Sequence, residues 1–504
     1  MLSGLAWSIF AHGMALFNKY SYHDDVPWFN GVGETYGLGR WFLGFAGKYV
    51  PRFFGSRNYS TPVYCGFLTL AAIALMVYIM SLKLRIERPS LLVALTGVMI
   101  CFPAVTNIFG YVFTAPYYYI GALLGVIGAY IYYAHKNIAT FLLCTFLMAL
   151  SVGLYQSNIA INLMVLLLFM VSEVYESDMK WKEYITLAGK NAGICACFMA
   201  EYFALNALFL KIEDMRMYDY KGVGSFGRTS VSGYIYRIYT AYKRFIKPAD
   251  YINYNGVSAN MFPWGIKYYH MILIAVISVL MIILARTLSR AKITQLAILT
   301  AASPLFAYFI YVMVAEEDAH GGMGFGEAFM FFLAAFVLQK IMEAEPASAD
   351  KKYDVRTIIA KAAVVLMFII AFMSARFANV CYLKAEVMQA EAISYYNRLI
   401  ERIQMTEGYT ADTPVAYVEG RKKDDSGFVG AKLFEPIYLP PYQGNSIIND
   451  FAWEETMHLW CAFSPESVDA ESLSDQDAIS DMPVYPAAGS VKMIDGTVVV
   501  KFAD

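Results

Sequence analysis

The sequence predicts a mainly α, polytopic membrane protein of about eleven transmembrane helices, followed by a small extracytoplasmic α/β domain at the C-terminal end. Three observations lead there. Of the 504 residues, 58% are hydrophobic and only 16% are charged, whereas soluble domains hold about 45–50% apolar and about 25% charged residues. The mean hydropathy is +0.46. The apolar residues also fall in blocks long enough to cross a bilayer, which takes about 20 residues. This composition excludes a soluble globular enzyme and a disordered chain. A net charge of −2 leaves no basic footprint for nucleic acid. The seven cysteines show no CxxC or Cys/His ligand spacing, so neither a zinc site nor a disulfide scaffold is expected.

The first span runs from Met1 to about Lys19. It lacks a small-residue cleavage site and is read as a span, not as a cleaved leader. The second, third and fourth cover about 61–82, 90–113 and 117–134. The fifth and sixth form one block, about 138–175, split near Tyr155-Gln156-Ser157-Asn158. The seventh covers about 186–210, and the last four lie near 268–288, 293–315, 325–342 and 357–378. Lys83, Arg85, Arg88, Lys136, Lys180, Lys182, Arg286, Arg290, Lys292, Lys340, Lys351, Lys352 and Arg356 all fall on one side if the spans alternate. Basic loops mark the cytoplasm. The segments 20–60, 211–267 and 316–326, and the tail after about residue 379, are then outside. The expected location is the bacterial cytoplasmic membrane.

Residues 1–379 are read as the transmembrane domain and 380–504 as the outer α/β domain. In the latter, 380–407 has helical spacing, with Tyr395, Leu399 and Ile403 on one face. Thr413–Glu419 alternates like a strand. Val491–Phe502 reads as a hairpin turning at Asp495-Gly496. A Cys381–Cys461 disulfide is one possibility on that side. There is no internal repeat of the kind that inverted-repeat transporters carry.

The first outer loop carries the sharpest signal. Tyr22-His23-Asp24-Asp25-Val26-Pro27-Trp28 follows the first span directly. Paired carboxylates at a membrane boundary are costly to bury. They are either a solvated, helix-capping pair or a general base at a membrane-level cavity. Gly37-Leu38-Gly39-Arg40-Trp41-Phe42 follows. Glycines let backbone approach a ligand, and Arg40 offers a forked donor to phosphate, unless it only snorkels to the interface. Lys48, Arg52 and Arg57, with Phe45, Phe53 and Phe54, suggest an amphipathic helix on the membrane surface.

This span with its Asp-Asp pair, followed about fifteen residues later by Gly39-Arg40-Trp41, resembles the Gtr-type (type II) O-antigen glucosyltransferase family. Ser151-Val152-Gly153-Leu154-Tyr155-Gln156 is similar to its Tyr-Gln turn between spans. Asn379 to Ile403, with Tyr395, Asn397 and Arg398, resembles its helix after the final span. Tyr485-Pro486 and Gly489-Ser490-Val491-Lys492 with Gly496 resemble its closing strands. The similarity covers nearly the whole chain. It implies a GT-C type membrane glycosyltransferase that moves a hexose, glucose in the family, from a polyprenyl-phosphate carrier to a surface glycan such as O-antigen or a wall polymer. It also implies as partners a lipid-linked sugar donor, a glycan acceptor, membrane lipids, a carrier-sugar synthase and a small flippase, and no nucleic acid. The family's first-loop aspartate maps to Asp25 or Asp24.

The remaining candidates follow from this chemistry. A polyprenyl-phosphate sugar brings its own leaving group, so the site needs a base and a cation and no further cofactor. Direct displacement inverts the anomeric carbon. No nucleotide motif is present. Arg57, Arg228 and Lys267 are further phosphate candidates. Tyr155 and Gln156 interrupt an apolar block at the outer face, as interface anchors or as a cavity lining. Glu316-Glu317-Asp318 with His320 is a solvated turn or a sugar-hydroxyl acceptor; no ligand spacing supports a metal. The Pro116-Tyr117-Tyr118-Tyr119 run beside Asn107 is either an aromatic belt or a sugar platform. The loop 211–267 is read as a lid with an amphipathic centre near 230–247, or as a surface helix on the headgroups. The rival classes are a transporter or flippase, and a polymerase, of lipid-linked glycans. A transporter would place charges near mid-membrane, and here Lys190 and Glu201 are the main exceptions to uncharged span centres.

Overall fold

A computed structural model of the chain describes residues 2–503 apart from 21–22, 220–228, 247–251, 255–256, 260–264, 316–318, 320, 345–354, 419–432, 435–436, 438 and 443–451. It divides into two compact units: Met1–Lys19 with Asn30–Val380 and Tyr438–Pro440, and Tyr20–Phe29 with Cys381–Ile437 and Pro441–Asp504.

The first unit is a helical bundle. Its order is α1 (Leu2–Phe17), α2 (Trp41–Phe54), α3 (Pro62–Leu84), α4 (Pro89–Cys101), α5 (Pro103–Ile108), α6 (Ala115–His135), α7 (Ile138–Leu154), α8 (Asn158–Glu176), α9 (Trp181–Ile212), α10 (Val231–Ile246), the strand pair β1 (Ile252–Tyr254) and β2 (Val257–Ala259), α11 (Ile266–Ala285), α12 (Arg290–Ala307), α13 (Ile310–Met313), α14 (Met330–Glu343) and the start of α15 (Val355–Gln404). Helix starts follow local chemistry. Proline stands in the first turn of α3, α4, α5 and α6, where its missing N–H costs no hydrogen bond. Asn137 and Thr140 form a reciprocal capping box on α7, with Asn137 Oδ1 accepting from the Thr140 N–H at 2.9 Å.

Eight described segments are long and apolar enough to cross a membrane. The other three expected spans are helices that fall short on local grounds. α1 and α7 are short, with 16 and 17 residues. α12 begins with Arg290 and Lys292 and holds Pro304 near its end. The tenth span opens as a 3₁₀ run, Gly321–Phe329, before α14. The basic loops expected on one side do gather at one end of this bundle. Glu173 pairs with Lys83 and Lys136, both at 2.6 Å. Glu176 pairs with Arg85 at 3.1 Å and Lys340 at 2.8 Å, and Asp178 with Lys292 at 3.0 Å. Loops from both halves of the bundle are thereby tied to the end of α8.

The second unit holds the C-terminal part of α15, α16 (Trp453–Cys461), α17 (Gln476–Ser480) and a four-stranded sheet. The strands are β3 (Val415–Val418), β4 (Ser467–Val468), β5 (Val491–Ile494) and β6 (Thr497–Lys501), in the order β4-β3-β6-β5. β3 runs parallel to β6 and β4, and β5 pairs antiparallel with β6. Ala416, Ile479, Met482, Ile494 and Val499 form the core beneath. The hairpin turns at Asp495 and Gly496, both with positive φ, as a two-residue connection requires. On α15, Arg402 donates to Pro486 O and lies 5.2 Å from the Tyr485 ring centroid. Cys381 and Cys461 are both free thiols, so the disulfide is not formed.

The Asp495 carboxylate accepts from the Ser474 hydroxyl at 2.5 Å and the Ser474 N–H at 3.1 Å, which holds it below its ordinary range. A depressed folded value contributes stability above the unfolded one, near pH 4, that is lost as pH falls through the folded one. In Asp495→Asn, amides of residues 491–501 therefore exchange faster than wild type at neutral pH, and the gap closes on acidification. Hydrogen exchange at both pH values checks this.

Candidate functional site

In the first unit, the Gly37–Arg40 segment is clamped onto the turn between α7 and α8. The 3₁₀ turn Tyr36–Leu38 ends at Gly39 with φ +75°, and the Gly39 N–H donates back to Tyr36 O at 2.9 Å. Gly39 O accepts from the Tyr202 hydroxyl at 3.0 Å, and Leu38 O accepts from the Gln156 amide. The clamp continues into α2. Trp41 stacks on Phe209, with centroids 5.2 Å apart. Its ring covers Gly153, where a Cβ would lie 2.7 Å from the indole.

This docking sets Arg40 at the edge of an aromatic pair. The Tyr118 and Tyr155 rings lie parallel with centroids 3.9 Å apart. The guanidinium carbon is 5.6 Å from each centroid, which places it beside the stack and not on a ring face. Asn158 fixes the pair by donating to Tyr118 O at 3.2 Å and Ser151 O at 3.1 Å. Of the residues singled out by sequence, Arg40, Tyr155 and Gln156 are therefore brought together, with Tyr118 from the tyrosine run as a fourth. Beside them, Tyr118, Tyr119, Tyr155 and Asn158 line a small cavity closed by Met323 and Phe325. Tyr119 is 3% exposed, and its hydroxyl has no hydrogen-bond partner among the described residues.

From the far side, Tyr218 closes over the same loop. Its N–H donates to Gly37 O at 3.1 Å and its hydroxyl to Glu34 Oε2 at 2.8 Å. Desolvation and the Glu34 carboxylate push that phenol up to about 12. It therefore stays a neutral donor at physiological pH.

The other candidates stand apart. Arg57 lies beyond the end of α2, exposed and with no carboxylate partner among the described residues. Lys267 rests its ammonium 5.2 Å from the Tyr268 ring centroid, at the start of α11. Arg228, Glu316, Glu317 and His320, with Asp318, lie outside the described residues. Asp24 and Asp25 belong to the second unit, on the 3₁₀ turn His23–Asp25. Asp25 is 1% exposed and Asp24 is half-buried. Among the described residues, no group of three His, Cys, Asp or Glu side chains is placed to hold a metal.

Sequence reasoning missed Tyr202, Tyr218 and Glu327. Glu327 is buried on the 3₁₀ run ahead of α14, facing Arg244 and Tyr308. Its signal is a lone carboxylate at the head of an uncharged apolar run. The partner signal lies on α10, which is amphipathic as expected but turned inward. Arg237, Thr240 and Arg244 are buried, and Val231, Ile235 and Tyr239 are exposed. Arg237 donates to Val312 O at 3.3 Å and Met313 O at 3.2 Å, carbonyls left open at the end of α13.

Gly39→Ala tests the clamp. Positive φ costs a Cβ-bearing residue about 1–2 kcal/mol. The new Cβ would also lie 2.8 Å from the Tyr202 hydroxyl and 3.0 Å from the Gln156 amide. Turnover is expected to fall about tenfold, with the thermal unfolding of the bundle little changed. Sugar-transfer rates beside a melting curve in detergent check it.

A family profile described as "Glucosyl transferase GtrII" matches residues 13–333. No curated protein and no solved structure matches the chain significantly. The matched stretch includes the first loop, Arg40, the Tyr155-Gln156 turn, α10 and Glu327, and it spans more than half of the 504 residues. The chain belongs to the GtrII glucosyl transferase family and is a glycosyltransferase built on membrane-capable helices.

Proposed function

We propose that the protein transfers a hexose, glucose by family, from a polyprenyl-phosphate carrier to a cell-surface glycan such as O-antigen or a wall polymer. The reaction takes place on the extracytoplasmic face of the bacterial membrane. The observation that carries this reading is Arg40, held at the edge of the Tyr118–Tyr155 stack by the docked glycine segment. A fixed guanidinium is suited to the charge that grows on a departing phosphate. The buried Tyr118 and Tyr155 rings beside it, stacked on each other, help hold that guanidinium in place. The acceptor hydroxyl loses its proton to Asp25 or Asp24, attacks the anomeric carbon, and the carrier phosphate leaves with the bonding electrons. One displacement inverts the anomeric configuration. No metal or nucleotide enters this scheme. A carrier-sugar synthase and a small flippase supply the donor.

The test is sugar transfer by the purified protein in detergent, with polyprenyl-phosphate hexoses and candidate glycans. Release of polyprenyl phosphate with an inverted product supports the reading. A retained product defeats the one-step scheme. Transport or flipping of lipid-linked glycans draws on a different observation, the buried Glu327 at the broken start of a span. The same assay separates the two, because transport leaves the lipid–sugar bond intact.

A further inference from the structure

A buried charge sits where the sequence shows an apolar run. Glu327 is 2% exposed, within the 3₁₀ run Gly321–Phe329 that leads into α14. Its two carboxylate oxygens make no direct hydrogen bond among the described residues. Burying a carboxylate without a compensating charge is costly, and here the charge that answers it comes from α10. Arg244 faces Glu327, with the Tyr308 hydroxyl beside the carboxylate. Opposite charges attract strongly at such depth, where no water screens them. α10 is fastened to α12 and α13 by other side chains. Arg237 donates to Val312 O and Met313 O, and the Tyr242 hydroxyl donates to Ala301 O at 2.8 Å. Through Glu327, α10 also holds the 3₁₀ run.

That run needs holding. Nine residues is long for a 3₁₀ helix, whose hydrogen-bond geometry is poor. Gly321, Gly322, Gly324 and Gly326 give it little stiffness of its own. Gly326 is pressed between neighbours: a Cβ there would lie 2.7 Å from Ala160 Cβ on α8 and 3.0 Å from Ala307 O on α12. Met323 and Phe325, on the same run, close the cavity beside Tyr118 and Tyr155. Phe325 also meets Tyr119 edge to face, with centroids 4.8 Å apart. Contacts therefore lead from Arg244 through Glu327 and the 3₁₀ run to the ring stack at whose edge Arg40 stands.

We propose that Glu327 is a positioning residue for Arg40. Opposite Arg244, it fixes the 3₁₀ run against the Tyr118–Tyr155 stack, so that α10 of the 211–267 loop sets the geometry in which Arg40 meets the departing phosphate. The inference rests on Arg40 acting on the carrier phosphate, as argued above. A buried pair of opposite charges adds little net stability, because desolvation offsets the attraction. Its best-attested use is to specify one arrangement of packed elements. Glu327 touches no substrate in this scheme and acts through the packing it holds.

The test pairs kinetics with hydrogen exchange on the full chain in detergent. Glu327→Gln is expected to lower kcat about tenfold and to leave the donor KM nearly unchanged. In an Arg40→Ala background the same change costs about twofold or less, because a group that acts through Arg40 has nothing left to position. A merely structural role costs as much in both backgrounds, and that additive result overturns the proposal. Glu327→Gln leaves the Arg244 charge uncompensated, so Glu327→Met with Arg244→Met, which removes both charges, is the variant expected to fold and melt like wild type. In it, amides of residues 321–329 and 36–41 exchange about tenfold faster than in wild type. Glu327→Asp, which keeps the charge on a shorter stem, is read in the same two ways, with a smaller loss. Faster exchange confined to 321–329, or unchanged in both segments, overturns the link to Arg40. Exchange needs no turnover, so the two readings fail separately. Coupled exchange in a protein that transfers no sugar defeats the transferase scheme alone. Wild-type kcat with wild-type exchange at 36–41 in the double variant defeats the positioning role alone.

Discussion

Arg40→Ala lowers polyprenyl-phosphate release about 10²–10³-fold, the usual loss when one preorganised donor to developing charge is removed. The drop falls on kcat more than on KM, because the interaction strengthens as the phosphate departs. Arg40→Lys restores little. An ammonium keeps the charge but loses the planar fork set against the edge of the Tyr118–Tyr155 stack. Tyr155→Phe, which keeps the ring, is expected to retain most activity. If Arg40→Lys works as well as wild type, the guanidinium acts only as a distant charge and the proposed phosphate contact is wrong. A steady-state comparison of kcat and KM for the three variants decides it.

Asp25→Asn removes turnover by about 10²–10⁴-fold, the range for a general base, while donor binding persists. Asp24→Asn stays within a few-fold of wild type. Burial separates the two: Asp25 is 1% exposed and shielded from bulk water, whereas Asp24 is half-buried. A structural role for Asp25 would lower the melting temperature and donor affinity as well as the rate. The readouts are therefore rate, donor binding and melting together. An inactive Asp24→Asn beside a working Asp25→Asn exchanges the roles. Two active variants remove the base from this loop.

Much of the fold was legible because its causes are local. Hydropathy summed over a span marks the eight helices long and apolar enough to cross a membrane, among eleven spans expected, and proline in four first turns marks where helices begin. Asp495-Gly496 announces the hairpin because few residues accept two consecutive positive φ values. The basic loops share one end, as alternation demands, and Glu173, Glu176 and Asp178 gather them there. What averaging hides was missed. One carboxylate barely changes a window's hydropathy, so Glu327 passed unseen. The direction in which α10 turns its arginines was also unreadable, since an amphipathic period looks the same inward or outward.

By itself, the sequence determined that the chain is a membrane protein, where its long apolar helices lie, and that Arg40, Tyr155 and Gln156 are polar exceptions at the ends of apolar blocks. These follow from composition and from pattern within about twenty residues. Only the tertiary structure decided that those three belong to one site. Gln156 lies more than a hundred residues from Leu38, whose carbonyl it holds, and Tyr202 lies further still from Gly39. No local preference encodes such a contact. It forms because backbone carbonyls at a tight turn need donors once buried, and the packing of α2 against α7 and α9 brings the amide of Gln156 and the phenol of Tyr202 to those two oxygens.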